Sequence, residues 1–166
     1  MSPPEIYLGI GELHFCRAPA RIRTVLGSCV SITLWHPTLR LGGMCHFMLP
    51  TRNRSGNLPL DGRYADEAMA LLDREIGRYH TRHADYHAKI FGGGNMFPGR
   101  PQPTYNLDIG QRNIDIARRL LAERSIPIMA EHLGGGGHRK LVFDVSSGDA
   151  WLAFQDLGDA HRRTST

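Results

Sequence analysis

The stretch Val30-Ser-Ile-Thr-Leu-Trp-His-Pro-Thr-Leu-Arg-Leu-Gly-Gly-Met-Cys-His46 reads as two strands joined by a turn. Val30, Ile32 and Leu34 alternate with Ser31, Thr33 and Trp35, the period of a strand with two unlike faces. Leu41 to Leu49 reads as the second strand, and His36-Pro37-Thr38 breaks the pattern with a fixed φ and a missing donor. A hairpin centred between Pro37 and Thr38 sets Cys29 directly opposite His46. Directly opposed Cβ atoms lie roughly 4.5–5.5 Å apart, so the thiol and the imidazole are expected to meet through local pairing alone. The same register puts Val30, Ile32, Leu34, Leu41, Cys45 and Phe47 on one face and Cys29, Ser31, Thr33, Met44 and His46 on the other. A slip of one residue would separate the pair.

Cysteine beside histidine suggests a nucleophile and its base. The thiolate is the reactive form, and a protonated imidazole next to it lowers the thiol pKa. Gly27-Ser28, immediately before Cys29, allows a tight backbone approach whose free N–H groups suit a developing oxyanion. The plainer reading makes Cys29 a small buried hydrophobe and His46 an ordinary strand residue, and spacing alone does not separate the two.

Composition narrows the field. The chain has 166 residues, 41% of them hydrophobic and 22% charged, which fits one ordinary globular domain with a real core. No apolar run approaches the ~20 residues of a membrane span, and Met1-Ser-Pro-Pro-Glu5 lacks a basic start and an apolar stretch, so a cytoplasmic location without membrane insertion is expected. Cys16, Cys29 and Cys45 are odd in number and have neither disulfide nor zinc spacing. The net charge of +4 comes from scattered Lys and Arg, without a nucleic-acid-binding motif, so no nucleic-acid partner is expected. His80, His83 and His87 have the spacing of one helix face, yet nothing completes a metal set, and neither a metal nor an organic cofactor is expected. The glycine runs fit no phosphate-binding pattern: Gly134 to Leu141 lacks the Gly-Lys-Ser/Thr ending, and Gly9-Ile-Gly11 is followed by His14 where glycine is required. Sharp turns and close backbone approaches are the expected use of these glycines.

Along the chain, Glu5 to Gly9 is a strand candidate, and Thr51 to Gly62 is a polar loop leaving the strand of the candidate base. Ala65, Ala68, Met69, Leu72 and Ile76 predict a helix over 64–78, and Asn113, Ile116, Ala117, Leu120 and Leu121 predict another over 110–123. Strands are expected at 87–91 and 126–131, and a hairpin joins 141–145 to 151–154 across Ser-Ser-Gly-Asp. Residues 1–158 are expected to form one domain, followed by a frayed tail at 159–166.

Taken together the motifs resemble the CheD family of chemoreceptor glutamine deamidases. The resemblance rests on Thr24-Val-Leu-Gly-Ser-Cys29-Val, Gly42-Gly-Met-Cys-His46-Phe-Met-Leu-Pro50, Arg63-Tyr-Ala-Asp66, Phe91-Gly-Gly-Gly-Asn-Met96-Phe, Ile109-Gly-Gln-Arg-Asn113 and Gly134-Gly135 with Arg139 downstream. It implies an α/β fold, a single domain with a layered β-sandwich-like core and helices on one side, similar to the catalytic domain of cytotoxic necrotizing factor toxins. It implies Cys29 as nucleophile and His46 as general base in a protein-glutamine glutaminase. It also implies a threonine shortly before the cysteine; Thr24 is the nearest, and in some members the threonine stands one position further away, which here is Arg23. Members usually carry an acidic residue near His132 and a glycine at His138, so the second glycine loop departs from the pattern where it would bear on docking.

On this reading Cys29 attacks a receptor glutamine, ammonia leaves, and a thioester is hydrolysed to glutamate. Gly27 and Ser28 border the reacting group, and Arg52, Arg54 and Arg63 on the following loop are expected to attract an acidic receptor helix. Two other readings compete. One is a different thiol acyl hydrolase, although papain-like order puts the histidine far later in the chain. The other is a noncatalytic chemotaxis adaptor that binds receptors or a CheC-type phosphatase.

Overall fold

The computed structural model describes residues 2–97 and 108–156. The expected tail at 159–166 lies outside them. Among the described residues nine strands form two sheets. The first, of five strands, runs in the order β2 (Leu13–Arg17), β5 (Leu41–Cys45), β4 (Val30–His36), β6 (His87–Gly92), β7 (Ile128–Leu133). The second, of four strands, runs β1 (Glu5–Tyr7), β3 (Arg21–Leu26), β8 (Gly137–Asp144), β9 (Ala150–Asp156). Helices α1 (Ala65–Arg78) and α2 (Ile109–Glu123) complete the α/β fold.

Hydrophobic patterning explains the layering. Val30, Ile32 and Leu34 of β4 meet Met69 and Leu72 of α1 and Ala117 and Leu121 of α2 in one apolar core. Ile22 and Leu26 of β3, Leu141 and Phe143 of β8, and Met44 and Phe91 of the first sheet form a second core, between the sheets. Each large apolar side chain so buried contributes about 1.5–3 kcal/mol. The five-stranded sheet is therefore covered on both faces, and the helices lie on one side of a sandwich, as expected. Strand β4 lies at its centre and is buried almost throughout, including Ser31 and Thr33, which point between the sheets.

The hairpin register differs from the sequence expectation. His36 pairs with Leu41 and Thr33 with Met44, so the turn is a four-residue loop, Pro37–Arg40, rather than one centred on Pro37 and Thr38. Arg40 takes a left-handed conformation at φ 50°, and His36 Nδ1 accepts the Leu39 N–H at 3.1 Å. The shift is two residues, which preserves the side-chain faces. Cys29 and His46 remain on one face but become diagonal neighbours on either side of the bridge in which Val30 and Phe47 exchange both hydrogen bonds at 3.0 Å: Cys29 lies one residue beyond it and His46 one residue before it, opposite Ser31.

Two strands had no clear signal. β2 and β3 are short and alternate imperfectly, and both are recognised only through their partners β5 and β8. The three spaced histidines share no helix face: His80 follows α1 at φ 57°, His83 sits in a 3-10 turn bonded to Asp73 at 2.8 Å, and His87 begins β6.

Candidate active site

Thr24 lies in β3, on the face turned toward the five-stranded sheet, and His46 follows β5 in that sheet. Both are buried, at 5% and 3% exposure. Thr24 Oγ1 is 2.7 Å from His46 Nδ1 and 2.8 Å from the Leu8 carbonyl oxygen. A hydroxyl has one proton, and a carbonyl can only accept. Thr24 therefore donates to Leu8, and the neutral imidazole donates Nδ1–H to Thr24. This arrangement leaves Nε2 as the bare nitrogen, with no hydrogen-bond partner among the described residues. The His46 backbone is also tied down, since its N–H donates to Glu12 O at 3.2 Å and its carbonyl accepts from Gly11 at 2.7 Å.

Burial sets the protonation states. It pulls His46 from 6.5 down to about 4, opposed by the nearby Glu12 carboxylate. It pushes the Cys29 thiol up, although the residue is only partly buried, and it pushes the fully buried Cys45 up to about 12. For both groups burial is the largest effect, and it favours the neutral thiol and the neutral imidazole, against the direction expected from an imidazolium beside the thiol.

Cys29 ends a turn held from three sides. Its carbonyl accepts the Gly93 N–H at 2.8 Å, and the Gly27 carbonyl accepts the Gly94 N–H at 2.9 Å. The Ser28 carbonyl accepts from Asn113 Nδ2 at 3.1 Å. The Cys29 N–H takes no backbone carbonyl among the described residues. Gly92 is required here, since at φ 113° an added Cβ would stand 2.2 Å from the Cys29 oxygen. The glycine run after β6 is therefore the backing of the turn that ends at Cys29. The sequence reading placed Asn113 in a family motif and on the inner face of a helix without giving it a place at the site, and it did not reach the Leu8 carbonyl, because a backbone oxygen leaves no local pattern.

The three arginines of the loop are engaged within it. Arg52 forms a two-pronged pair with Glu67, both contacts at 2.9 Å, and also donates to Pro59 O. Arg63 chelates Asp61, and Arg54 donates through Nε and Nη2 to Leu58 O. Two of the three charges are thus balanced in place. A separate cleft of about 370 Å³ has Thr24 and His46 in its wall, beside Tyr7, Ile10, Arg23 and Lys140; Cys29 does not line it.

Fold and site together define a layered α/β sandwich in which a partly buried thiol shares a sheet face with a buried imidazole held by a threonine from the opposite sheet. The family model described as CheD chemotactic sensory transduction matches residues 48–154. A probable chemoreceptor glutamine deamidase CheD 3 of Dechloromonas aromatica is 52% identical over 162 residues, covering 97% of this chain and 94% of that protein. A probable chemoreceptor glutamine deamidase CheD 2 of Albidiferax ferrireducens is 53% identical over 151 residues, covering 90% and 87%. The chain belongs to the CheD family. Among solved structures, the hypothetical protein YfiH of Bacillus licheniformis matches with a TM-score of 0.48 and 18% identity, covering 72% of this chain and 49% of that one.

Proposed function

We propose that this chain deamidates glutamine side chains of chemoreceptors, with Cys29 as nucleophile and His46 as general base. The observation that carries the reading is the Leu8–Thr24–His46 chain of hydrogen bonds, which presents a bare Nε2 on the face that also carries Cys29. His46 Nε2 takes the Cys29 proton as sulfur attacks the glutamine Cδ. The oxyanion forms near the Cys29 N–H, which donates to no backbone carbonyl among the described residues, and the imidazolium returns its proton to the departing amine, so ammonia leaves and a thioester remains. Water, deprotonated by His46, then attacks the thioester and releases glutamate and the free thiol. A neutral pair suits this sequence, because the proton moves only as the new bond forms.

Thr24 positions the imidazole through Nδ1. Gly27 and Ser28 shape the approach to sulfur, and the loop carrying Arg52, Arg54 and Arg63 forms a wall beside it. Chemoreceptor cytoplasmic domains are the substrate class, which places the work in the cytoplasm, and a CheC-type phosphatase is a candidate regulator. No step needs a metal or an organic cofactor.

Incubating purified receptor cytoplasmic fragments with the protein should add about 1 Da at each modified glutamine, the mass of one amide turned to acid. Unchanged masses with capture of the fragment would instead indicate an adaptor.

A further inference from the structure

Beyond the last bridge of the β4/β5 hairpin, the two strands that carry the nucleophile and the base separate, and the side chain of Asn113 fills the gap. Asn113 is completely buried on α2. Its Nδ2 donates to the Ser28 carbonyl at 3.1 Å and to the Met48 carbonyl at 2.9 Å. Ser28 directly precedes Cys29, and Met48 stands two residues past His46. If the hairpin register continued, Cys29 and Met48 would form the next pair. One amide group therefore stands in for the rung that the turn at Gly27-Ser28 removes.

We propose that Asn113 is a positioning residue of the deamidase reaction, a clamp that fixes the distance and angle between the Cys29 sulfur and the His46 imidazole. The inference rests on the reading under Proposed function. A diagonal cross-strand pair is farther apart than a directly opposed one, so its reacting atoms meet only if the splay of the strands is limited. Hydrogen bonds from a buried helix side chain set that limit rigidly, because water cannot replace them. The two contacts also demand this amide. An ionised aspartate has no proton to donate to either carbonyl, a serine has one, and leucine has none. The Asn113 Oδ1 is buried without a partner among the described residues, a cost that packing alone would remove by placing an apolar side chain there.

The test uses the full chain carrying Gly77→Ala, which fills an open position on α1 with a better helix former and adds stability away from the site. Asn113→Ser and Asn113→Leu are compared with Ile116→Val, a core truncation on the same helix that touches neither carbonyl. Two quantities are read on folded protein: kcat and KM for a receptor fragment, and the pH profile of Cys29 alkylation by iodoacetamide. The clamp predicts kcat lower by roughly ten- to a hundredfold in both Asn113 variants, with KM within about twofold, since misplacement of reacting groups falls on turnover. It also predicts an altered alkylation profile in the Asn113 variants only. Wild-type kcat and profile in the Asn113 variants would overturn it, as would equal losses in Ile116→Val or failure of both Asn113 variants to fold. The alkylation arm needs no deamidase activity, so it decides the clamp even if Cys29→Ala still converts glutamine and the functional reading fails.

Discussion

Thr24 and His46 are 22 positions apart in the chain and belong to different sheets, yet their side chains meet at 2.7 Å with the Leu8 carbonyl as the far end of the same hydrogen-bond chain. The sandwich thus fixes the tautomer of an imidazole by facing one sheet against another. The orientation of this imidazole is a tertiary property.

Thr24→Val keeps the shape and deletes the hydroxyl, stranding the His46 Nδ1–H in a buried place. The loss of stability should be about 1–3 kcal/mol. Turnover should fall roughly ten- to a hundredfold, because the tautomer with Nε2 bare is no longer selected. Thr24→Ser should restore most of both. Denaturant midpoints and single-turnover rates check this, and equal rates for the Ser and Val variants would remove the role assigned to the hydroxyl.

The His46 pKa, pulled down to about 4 by burial, has a stability consequence of definite sign. The unfolded chain binds a proton at this residue near pH 6.5 and the folded chain does not, so the unfolded state gains as pH falls between those values. The folded state should lose about 3 kcal/mol from this group between pH 6.5 and 4, with full stability above 6.5. His46→Gln should flatten the curve of urea midpoint against pH over that window. The acid limb of kcat/KM should likewise fall well below the usual histidine range, and an inflection near 6.5 would show that the imidazole is not desolvated in this way.

Gly92→Ala introduces a Cβ where the Cys29 carbonyl stands at 2.2 Å, with φ at 113°. Backbone against backbone cannot yield cheaply, so a stability loss of roughly 1–3 kcal/mol is expected. The nucleophile's turn should shift with it. Thermal unfolding together with Cys29 alkylation rates will report both effects, and a variant unchanged in both would contradict the packing described.

Arg52→Met removes the ion pair of the 5%-exposed Glu67 side chain and leaves it only the Asp61 N–H among the described residues, whereas Arg54→Met removes bonds to a single exposed carbonyl. The first should lower the denaturant midpoint measurably and the second hardly at all. Capture of receptor fragments at low salt should change little for Arg52 and Arg63, whose charges are already balanced by Glu67 and Asp61. A large loss of capture with intact stability would instead make the loop the docking surface.

The sandwich with one-sided helices was legible because alternation in β4 and helical spacing in 65–76 and 113–121 each name the face they bury. The direct opposition of Cys29 and His46 expected from the sequence is replaced by a diagonal relation, and only their common face is kept, since a shift of two preserves faces. What remained hidden depends on contacts between distant segments. β3 shows its role only opposite β8, and Thr24 shows its contact only when the sheets close. Asn113 looks like any inner helix residue until its amide is seen on two carbonyls. Arg139 is similar: it is buried at 1% exposure and donates from Nε to His132 at 2.9 Å and from Nη2 to Gly134 O, with no carboxylate partner among the described residues.

The central claim is a thioester on Cys29, and interception tests it most directly. Hydroxylamine added during turnover of a receptor fragment competes with water for an acyl-enzyme and leaves a hydroxamate, about 16 Da heavier than the original glutamine. The account predicts that mass at the same glutamines that otherwise become glutamate, with wild-type protein and not with Cys29→Ala. Glutamate formation that persists in Cys29→Ala would contradict it.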